Sequence, residues 1–329
     1  MELTTVADDE VVLFDGNRLV SHSGLEPDTV HHLDGVEART LPRPGDLLSR
    51  FCTTNDVHFG ETVCGVIEGS DAGPVFSVPP GAEPYPEVMN RGAVAEIAAV
   101  GPDAVVVKGD LTAMGTRAEY DRFVEVYQGA FGDRLWHVRG NHDAYHGEVF
   151  ADWPTQEIDL PGVRLAILDT SRGRQVNGSL SADQLEWLDE LGARADRPVL
   201  VFGHHHIWNP ARDPRIDSFF GLRPDDSEAL LAVFARRPRL RGYFAGHTHR
   251  NQRQMIGGIP FVEVACVKDF PGTWAEYRVF DGGILQIFRR IGTADALDWS
   301  EQTRHMYAGG YEPYAFGDLD DRSFLIPIR

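Results

Sequence analysis

Five short stretches of this chain follow apolar runs and present side chains that bind metals or move protons. They are Asn55-Asp56-Val57-His58, Gly109-Asp110, Gly140-Asn141-His142-Asp143, Gly203-His204-His205-His206 and Gly246-His247-Thr248-His249. Asp56, His58, Asp110, Asn141, His204, His247 and His249 form a set of carboxylate, imidazole and amide-oxygen donors suited to Zn, Mn or Fe. Seven donors exceed the needs of one tetrahedral ion and fit two divalent ions sharing a bridging carboxylate. Two ions about 3.5–4 Å apart can clamp a phosphoryl group and lower the pKa of a bridging water, giving a nucleophile near neutral pH. Each stretch alone is weak: Asp-x-His is commonly surface loop, Gly-Asp a turn, and Gly-His-x-His a hairpin tip. The series of five carries the metal reading. The spacing of His247 and His249 predicts two imidazoles on one face of an extended segment, because side chains alternate along a strand.

The elements that must position these residues follow a repeating order. Leu47–Thr53, Ala104–Val107, Leu135–Val138, Val163–Leu168, Val199–Phe202 and Gly242–Ala245 read as buried strands. Between them, Pro86 opens a helix ending at Gly101-Pro102, Thr116 and Glu119 form a capping box, and Ser181 with Gln184 opens a third helix. Ser227–Ala235 reads as a fourth. This β-α-β-α-β order, met twice, implies parallel pairing through right-handed crossovers. In such a sheet the crevice lies at the carboxyl ends of the strands, where the five stretches would converge. Beyond residue 250 the pattern changes to hairpins, turning at Gly257-Gly258 and at Asp281-Gly282-Gly283.

Three regions flank or interrupt this order. Residues 1–47 hold short β-prone runs around Asp15-Gly16 and Asp34-Gly35, and predict a small all-β appendage. Gly24–Thr29 followed by Val36–Pro42 looks like the end of a fibronectin type III repeat, too short for a whole sandwich. Residues 60–84, rich in Gly and Pro, predict a long loop beside the site. The main domain is expected over 48–290. Residues 291–329 read as a tail without clear period, whose aromatics hold it against the domain.

Bulk properties narrow the function. The chain has 329 residues, 42% hydrophobic and 10% aromatic, enough for a sizeable globular core. No apolar stretch reaches the roughly 18 residues of a membrane span, and Met1-Glu2-Leu3-Thr4 lacks the basic start of a signal peptide. Cys52, Cys64 and Cys266 form an odd set at unrelated spacings, which points to a reducing, cytoplasmic setting. A formal net charge of −19 repels phosphate backbones and weighs against nucleic acid as a partner.

The order Asp56-x-His58, Gly109-Asp110, Gly140-Asn141-His142-Asp143, Gly203-His204 and Gly246-His247-Thr248-His249 resembles the calcineurin-like metallophosphoesterase family over roughly residues 48–250. Gly109–Thr112 through Gly115-Thr116 to Glu119-Tyr120 is similar to its class III cyclic-nucleotide phosphodiesterase branch. Leu168–Ser171 and Gly178–Ser181 are similar to it too. The resemblance implies an α/β fold, a four-layer α/β/β/α sandwich of two mixed sheets. It implies that Asp56, His58 and His249 hold one ion, that Asn141, His204 and His247 hold the other, and that Asp110 bridges. It further implies that His142 lies near the leaving oxygen with Asp143 behind it as orienter.

The expected reaction is hydrolysis of a small phosphodiester, a cyclic nucleotide among the candidates, by attack of metal-bound hydroxide. The alternatives are a phosphomonoesterase or nuclease of the same family, or an inactive metal-binding scaffold. The presence of His142 and of every ligand position argues against the scaffold. The purple acid phosphatases carry a Tyr three residues after the bridging Asp; Ala113 stands there, which argues against a tyrosinate-bound ferric ion. The branch commonly shows His-Pro after the first histidine, whereas His205-His206-Ile207 follows His204. His205 and His206 are therefore either groups supporting the substrate side or packed loop histidines. Arg172 and Arg174 either hold a phosphate oxygen or are solvated. Phe59, Tyr145 and Trp208 either stack on a substrate or pack. The substrate is expected to be a small-molecule phosphoester, with no membrane partner.

Overall fold

The computed structural model describes residues 1–66 and 69–328; residues 67 and 68 of the expected loop lie outside them. Strands β1 (Glu2–Val6), β2 (Glu10–Phe14) and β3 (Leu19–Ser23) form an antiparallel sheet, and β4 (Val30–Leu33) pairs with β5 (Val36–Arg39) across Asp34-Gly35. The chain then enters β6 (Leu47–Thr54), passes a two-residue pair β7 (Val63–Cys64) and β8 (Phe76–Ser77), and continues through α1 (Tyr85–Val100), β9 (Ala104–Lys108), α2 (Arg117–Phe131) and β10 (Leu135–Val138). Next come β11 (Thr155–Leu160), β12 (Val163–Leu168), α3 (Ala182–Arg194), β13 (Val199–Phe202), α4 (Pro224–Arg236) and β14 (Leu240–Ala245). The hairpins are β15 (Gln252–Ile256) with β16 (Ile259–Glu263), and β17 (Thr273–Phe280) with β18 (Gly283–Arg290). Helices α5 (Ala294–Thr303), α6 (Tyr311–Phe316) and α7 (Leu319–Arg322) lead to β19 (Phe324–Pro327).

Two six-stranded mixed sheets result, in the orders β10-β9-β6-β17-β18-β19 and β11-β12-β13-β14-β16-β15. Their parallel cores are β10-β9-β6 and β12-β13-β14-β16; βαβ units make every pair except β14-β16, which is reached through β15. Strand alternation then builds the layers. Phe51, Val106, Leu165, Leu200, Phe244 and Tyr277 meet between the sheets. Val105 and Val107, pointing the other way, meet Met89 and Ile97 of α1 and Phe123 and Tyr127 of α2. Ala166, Val199 and Val201 meet Leu188 of α3 and Leu230 of α4. The order is therefore helix, sheet, sheet, helix, as the fold reading expected.

Two expectations needed correction. β11 was missed: its sequence, TQEIDL, is too polar to read as a strand, because it is a half-buried antiparallel edge on β12. The tail shows no clear period, yet it folds into regular elements. Its helices span 10, 6 and 4 residues, too short to show a period, and β19 is the edge strand beside β18. Among the described residues no helix is long and apolar enough to cross a membrane.

The N-terminal strands are fastened to the first sheet by buried charge. Glu276 on β17 accepts from Arg278 Nε at 2.7 Å and from Arg289 Nη2 at 2.6 Å, with Arg50 Nε at 3.0 Å. Arg278 also donates to Asp8 and Asp9, and Arg289 to Glu10, all from the first 10 residues. Burial pushes the Glu276 carboxyl up, but the Arg289 and Arg278 guanidiniums outweigh it and hold it below the usual glutamate range. Removing one partner of a buried ion network leaves the others uncompensated, so Glu276→Ala is expected to cost about 3–5 kcal/mol. Urea unfolding checks this: the midpoint should fall at unchanged slope, and a loss under about 1 kcal/mol would contradict it.

Candidate metal centre

All five chemistry-bearing stretches leave the carboxyl ends of strands: Asp56 and His58 after β6, Asp110 after β9, Asn141 and His142 after β10, His204 after β13, His247 and His249 after β14. The turns are tight enough to exclude side chains. A Cβ on Gly140 would lie 2.2 Å from Asp110 Oδ1 and 2.4 Å from the Asp110 amide nitrogen. Asp56, His58, Asp110, His247 and His249 all have φ between 46° and 73°, the left-handed region that non-glycine residues seldom adopt. Such strain concentrates where the surroundings fix a functional geometry.

The donors converge in overlapping groups. Asp56, His58 and His249 offer ligand atoms within 4.8 Å of one another; so do Asp56, Asp110 and His204, and so do His204, His205 and His247. Asp110 Oδ2 lies 3.5 Å from His58 Nε2 and 3.3 Å from His204 Nε2, between the two imidazoles. Its Oδ1 accepts the His142 amide at 2.9 Å. His249 Nε2 is 3.4 Å from Asp56 Oδ1. Asn141 Oδ1 lies 3.1 Å from His204 Nε2, and its Nδ2 donates to the Tyr145 hydroxyl at 2.7 Å, which turns the amide oxygen toward the cluster. The expectation that His247 and His249 share a face of an extended segment is corrected. Their left-handed backbone sends His247 toward His204 and His249 toward Asp56.

A surrounding layer aims the rings. His204 Nδ1 is 2.8 Å from the Lys108 carbonyl, which leaves Nε2 for the cluster. His58 Nδ1 sits 2.8 Å from Glu61, and Glu61 is in turn 2.5 Å from the buried Lys268 Nζ. His58 Nε2 is buried without a hydrogen-bond partner, an orphan that a cation between it and Asp110 would satisfy. Charge points the same way. Burial and Lys268 push the His58 imidazole down, but the Glu61 and Asp110 carboxylates prevail and leave it at about 10. Burial likewise opposes protonation of His204, and the Asp110 and Asp56 carboxylates raise it to about 9. Against burial, His249 and His204 hold Asp56 below the usual carboxylate range, and His204 and His142 do the same for Asp110. Protons on imidazoles thus stand where divalent ions would balance the carboxylates. The donor set and its charge fit such ions.

Other expected site residues fall differently. His142 Nδ1 is 2.7 Å from the Ala113 carbonyl, not from Asp143. Asp143 accepts from the Gly140, Leu111 and Thr112 amides and the Thr112 hydroxyl, so it ties the β9 and β10 exits together and does not orient the His142 ring. Its carboxyl sits at about 6, raised by burial and by Asp110. Arg172 donates to Asn177, and Arg174 is exposed with φ +60°; neither lines the cavity beside the centre. His205 is held by Thr170 and the Val176 carbonyl, and His206 is buried 3.9 Å from Glu263, so both pack and neither meets that cavity. Phe59 packs against Phe123 and Tyr127, and Trp208 donates to the Pro214 carbonyl. Of the three aromatics, only Tyr145 lines the cavity.

That cavity, about 590 Å³, is bounded by Asp110, Asn141, His142, His247 and His249, and by aromatic rings beyond them. A second, of about 440 Å³, lies on the other side of His142 and His249, lined by Glu61 and Lys268. Sequence reasoning missed Glu61, Lys268, Asp269, Tyr307, Tyr311 and Tyr314. Only the three tyrosines had a signal, the aromatic enrichment of the tail.

The calcineurin-like phosphoesterase model matches residues 49–251, the segment that carries every converging donor. The chain belongs to that family. Within the family it is similar to a cAMP/cGMP dual specificity phosphodiesterase of Mycobacterium tuberculosis, 32% identical over 171 residues that cover 48% of this chain and 52% of that protein. It is also similar to a glycerophosphodiester phosphodiesterase of Enterobacter lignolyticus, 32% identical over 164 residues covering 45% and 56%. The chain thus spans a little over half the length of these curated relatives. Among solved structures, a dimetal phosphatase from Danio rerio shares the fold: TM-score 0.57 at 18% identity, covering 75% of this chain and 97% of that one.

Proposed function

We propose that this family member is a metal-dependent phosphodiesterase acting on a small phosphodiester, a cyclic nucleotide among the candidates, with two divalent ions of Mn, Fe or Zn. The observation that carries the reading is the convergence of Asp56, His58, Asp110, Asn141, His204, His247 and His249 in one cluster, beside a cavity that Asp110, Asn141, His247 and His249 line. Asp56, His58 and His249 would hold one ion, Asn141, His204 and His247 the other, with Asp110 between them. Bound ions would supply Lewis acidity toward phosphoryl oxygens and a lowered water pKa near neutrality.

The chain's own groups do the rest. Lys108, Glu61 and Tyr145 orient donors through the contacts above. The Ala113 carbonyl accepts a hydrogen bond from His142 Nδ1–H and leaves Nε2 as the atom that carries a proton toward a leaving oxygen. Asp143 holds the two exits that position Asp110 and His142. A cytoplasmic setting belongs to the same reading, since Cys52, Cys64 and Cys266 are buried free thiols.

The test is a panel of bis(4-nitrophenyl) phosphate, 4-nitrophenyl phosphate, cyclic AMP and glycerophosphodiesters. Chelated protein is compared with protein given Mn, Zn or Fe. Diester hydrolysis abolished by chelation, restored by metal and faster than monoester hydrolysis is expected. Preference for the monoester would favour a phosphomonoesterase, and activity indifferent to chelation would sink the metal reading.

A further inference from the structure

The cavity beside the centre is walled by the C-terminal segment, which lies outside the residues matched by the family model. Tyr307, Tyr311 and Tyr314 line it, facing the same space as Asp110, His142 and His249. Two of their hydroxyls are engaged elsewhere: Tyr311 donates to Asp269 at 2.5 Å and Tyr314 to the Thr248 carbonyl at 2.9 Å. Tyr311 and Tyr314 therefore present aromatic carbon to the cavity, which the Tyr307 side chain also lines. Their rings cluster, with Tyr307 and Tyr311 centroids 5.3 Å apart at 85° and Tyr311 and Tyr314 6.3 Å apart.

Tyr307 and Ala308 hold φ of 57° and 58°, and the Ala308 amide donates to the Gly73 carbonyl at 2.7 Å. A left-handed pair without glycine is kept only where neighbouring contacts fix it, so the wall is set in place from two sides. Among the described residues no Lys or Arg lines the cavity. Arg250, 5.4 Å from the Tyr314 ring centroid, is held by Glu263 at 3.0 Å.

We propose that this cavity takes an uncharged aromatic ring carried on one arm of the phosphodiester, and that Tyr307 and Tyr314 determine that specificity. The inference rests on the phosphodiesterase reading. A phosphoryl group seated on the donors would have its substituent against the tyrosine rings, in a volume of about 590 Å³ that suits one small molecule. Flat rings stack on such a wall without needing matched hydrogen bonds. A second phosphate would find no Lys or Arg side chain lining the cavity among the described residues. A hydroxylated arm would lose water without gaining partners. A cationic arm would face two divalent ions.

The test measures binding of three probes to the metal-loaded full chain by calorimetry. They are methyl(phenyl)phosphinate, (2-hydroxyethyl)methylphosphinate and methyl(2-trimethylammonioethyl)phosphinate, matched in their phosphorus anion and carrying no P–O–C bond to hydrolyse. The phenyl probe is expected to bind about tenfold tighter than either other probe, the size of one aromatic stacking contact. Tyr307→Ala with Tyr314→Ala should shrink that preference to within about threefold. Tyr307→Phe with Tyr314→Phe should keep it, because stacking uses the rings and not the hydroxyls. If the double alanine variant does not fold, Tyr314→Ala alone decides, since Tyr314 is 44% exposed. Equal binding of the three probes, no binding of any, or a preference that survives alanine with metal content unchanged would overturn the proposal. Failure of the metal-loaded protein to hydrolyse any diester would instead sink the phosphodiesterase reading, and the probe preference would still be read.

Discussion

Asp110→Ala is expected to weaken both ions together, by more than the 10- to 100-fold that loss of a mere supporting residue typically costs. The reason is geometric: Asp110 Oδ2 stands 3.5 Å from His58 and 3.3 Å from His204, one imidazole from each proposed ligand set. His249→Ala, which touches the cluster through Asp56, should lower the bound metal toward one ion per chain. Asp110→Asn keeps an oxygen for the His142 amide and separates lost charge from a collapsed turn. Metal content after dialysis, with diester hydrolysis measured on the same samples, reads all three variants. An Asp110→Ala protein that retains two tight ions would contradict the bridging role.

His142→Ala should keep its metals and lose about 10²–10⁴-fold in rate on alkyl diesters, the usual worth of a positioned proton donor. On nitrophenyl diesters the loss should be far smaller, because that leaving group departs without a proton. Burial pushes the His142 imidazole below its ordinary range, and the Ala113 carbonyl fixes which nitrogen is free. The acid form is the active one, so at saturating metal the alkyl-ester rate should fall as pH rises through that lowered value. The nitrophenyl rate should not show this limb. An equal loss on both ester types would assign His142 to phosphate binding or ion positioning instead.

The donors and the βα order were legible because both follow from local pattern, whereas the four layers were implied by the family resemblance. Apolar runs such as Ala104–Val107 and Val199–Phe202 are buried on both faces, and each ends in a turn whose chemistry is written in the next residues. What failed depended on three-dimensional detail. The left-handed φ of His247 and His249 sends their rings apart, which no spacing rule anticipates. Asp143 follows His142 in sequence, yet its carboxylate meets backbone amides of the β9 exit. Arg172 and Arg174 follow a strand of the right sheet, but Arg172 turns back to Asn177. The tyrosine wall comes from short helices over 160 residues from Tyr145, brought in by the tail's path to β19.

The central claim is that two ions replace protons in one cluster, and counting both in a single titration tests it most directly. Metal-free protein is titrated with Mn²⁺ by calorimetry in buffers of different ionisation enthalpy, from pH 7 to pH 9. His58 at about 10 and His204 at about 9 carry protons below those values, so binding must expel them and affinity must rise with pH. The account predicts two ions per chain and about two protons released at pH 7, with the release shrinking as pH approaches the His204 value. A single ion per chain, or proton release that does not change across that range, would contradict it.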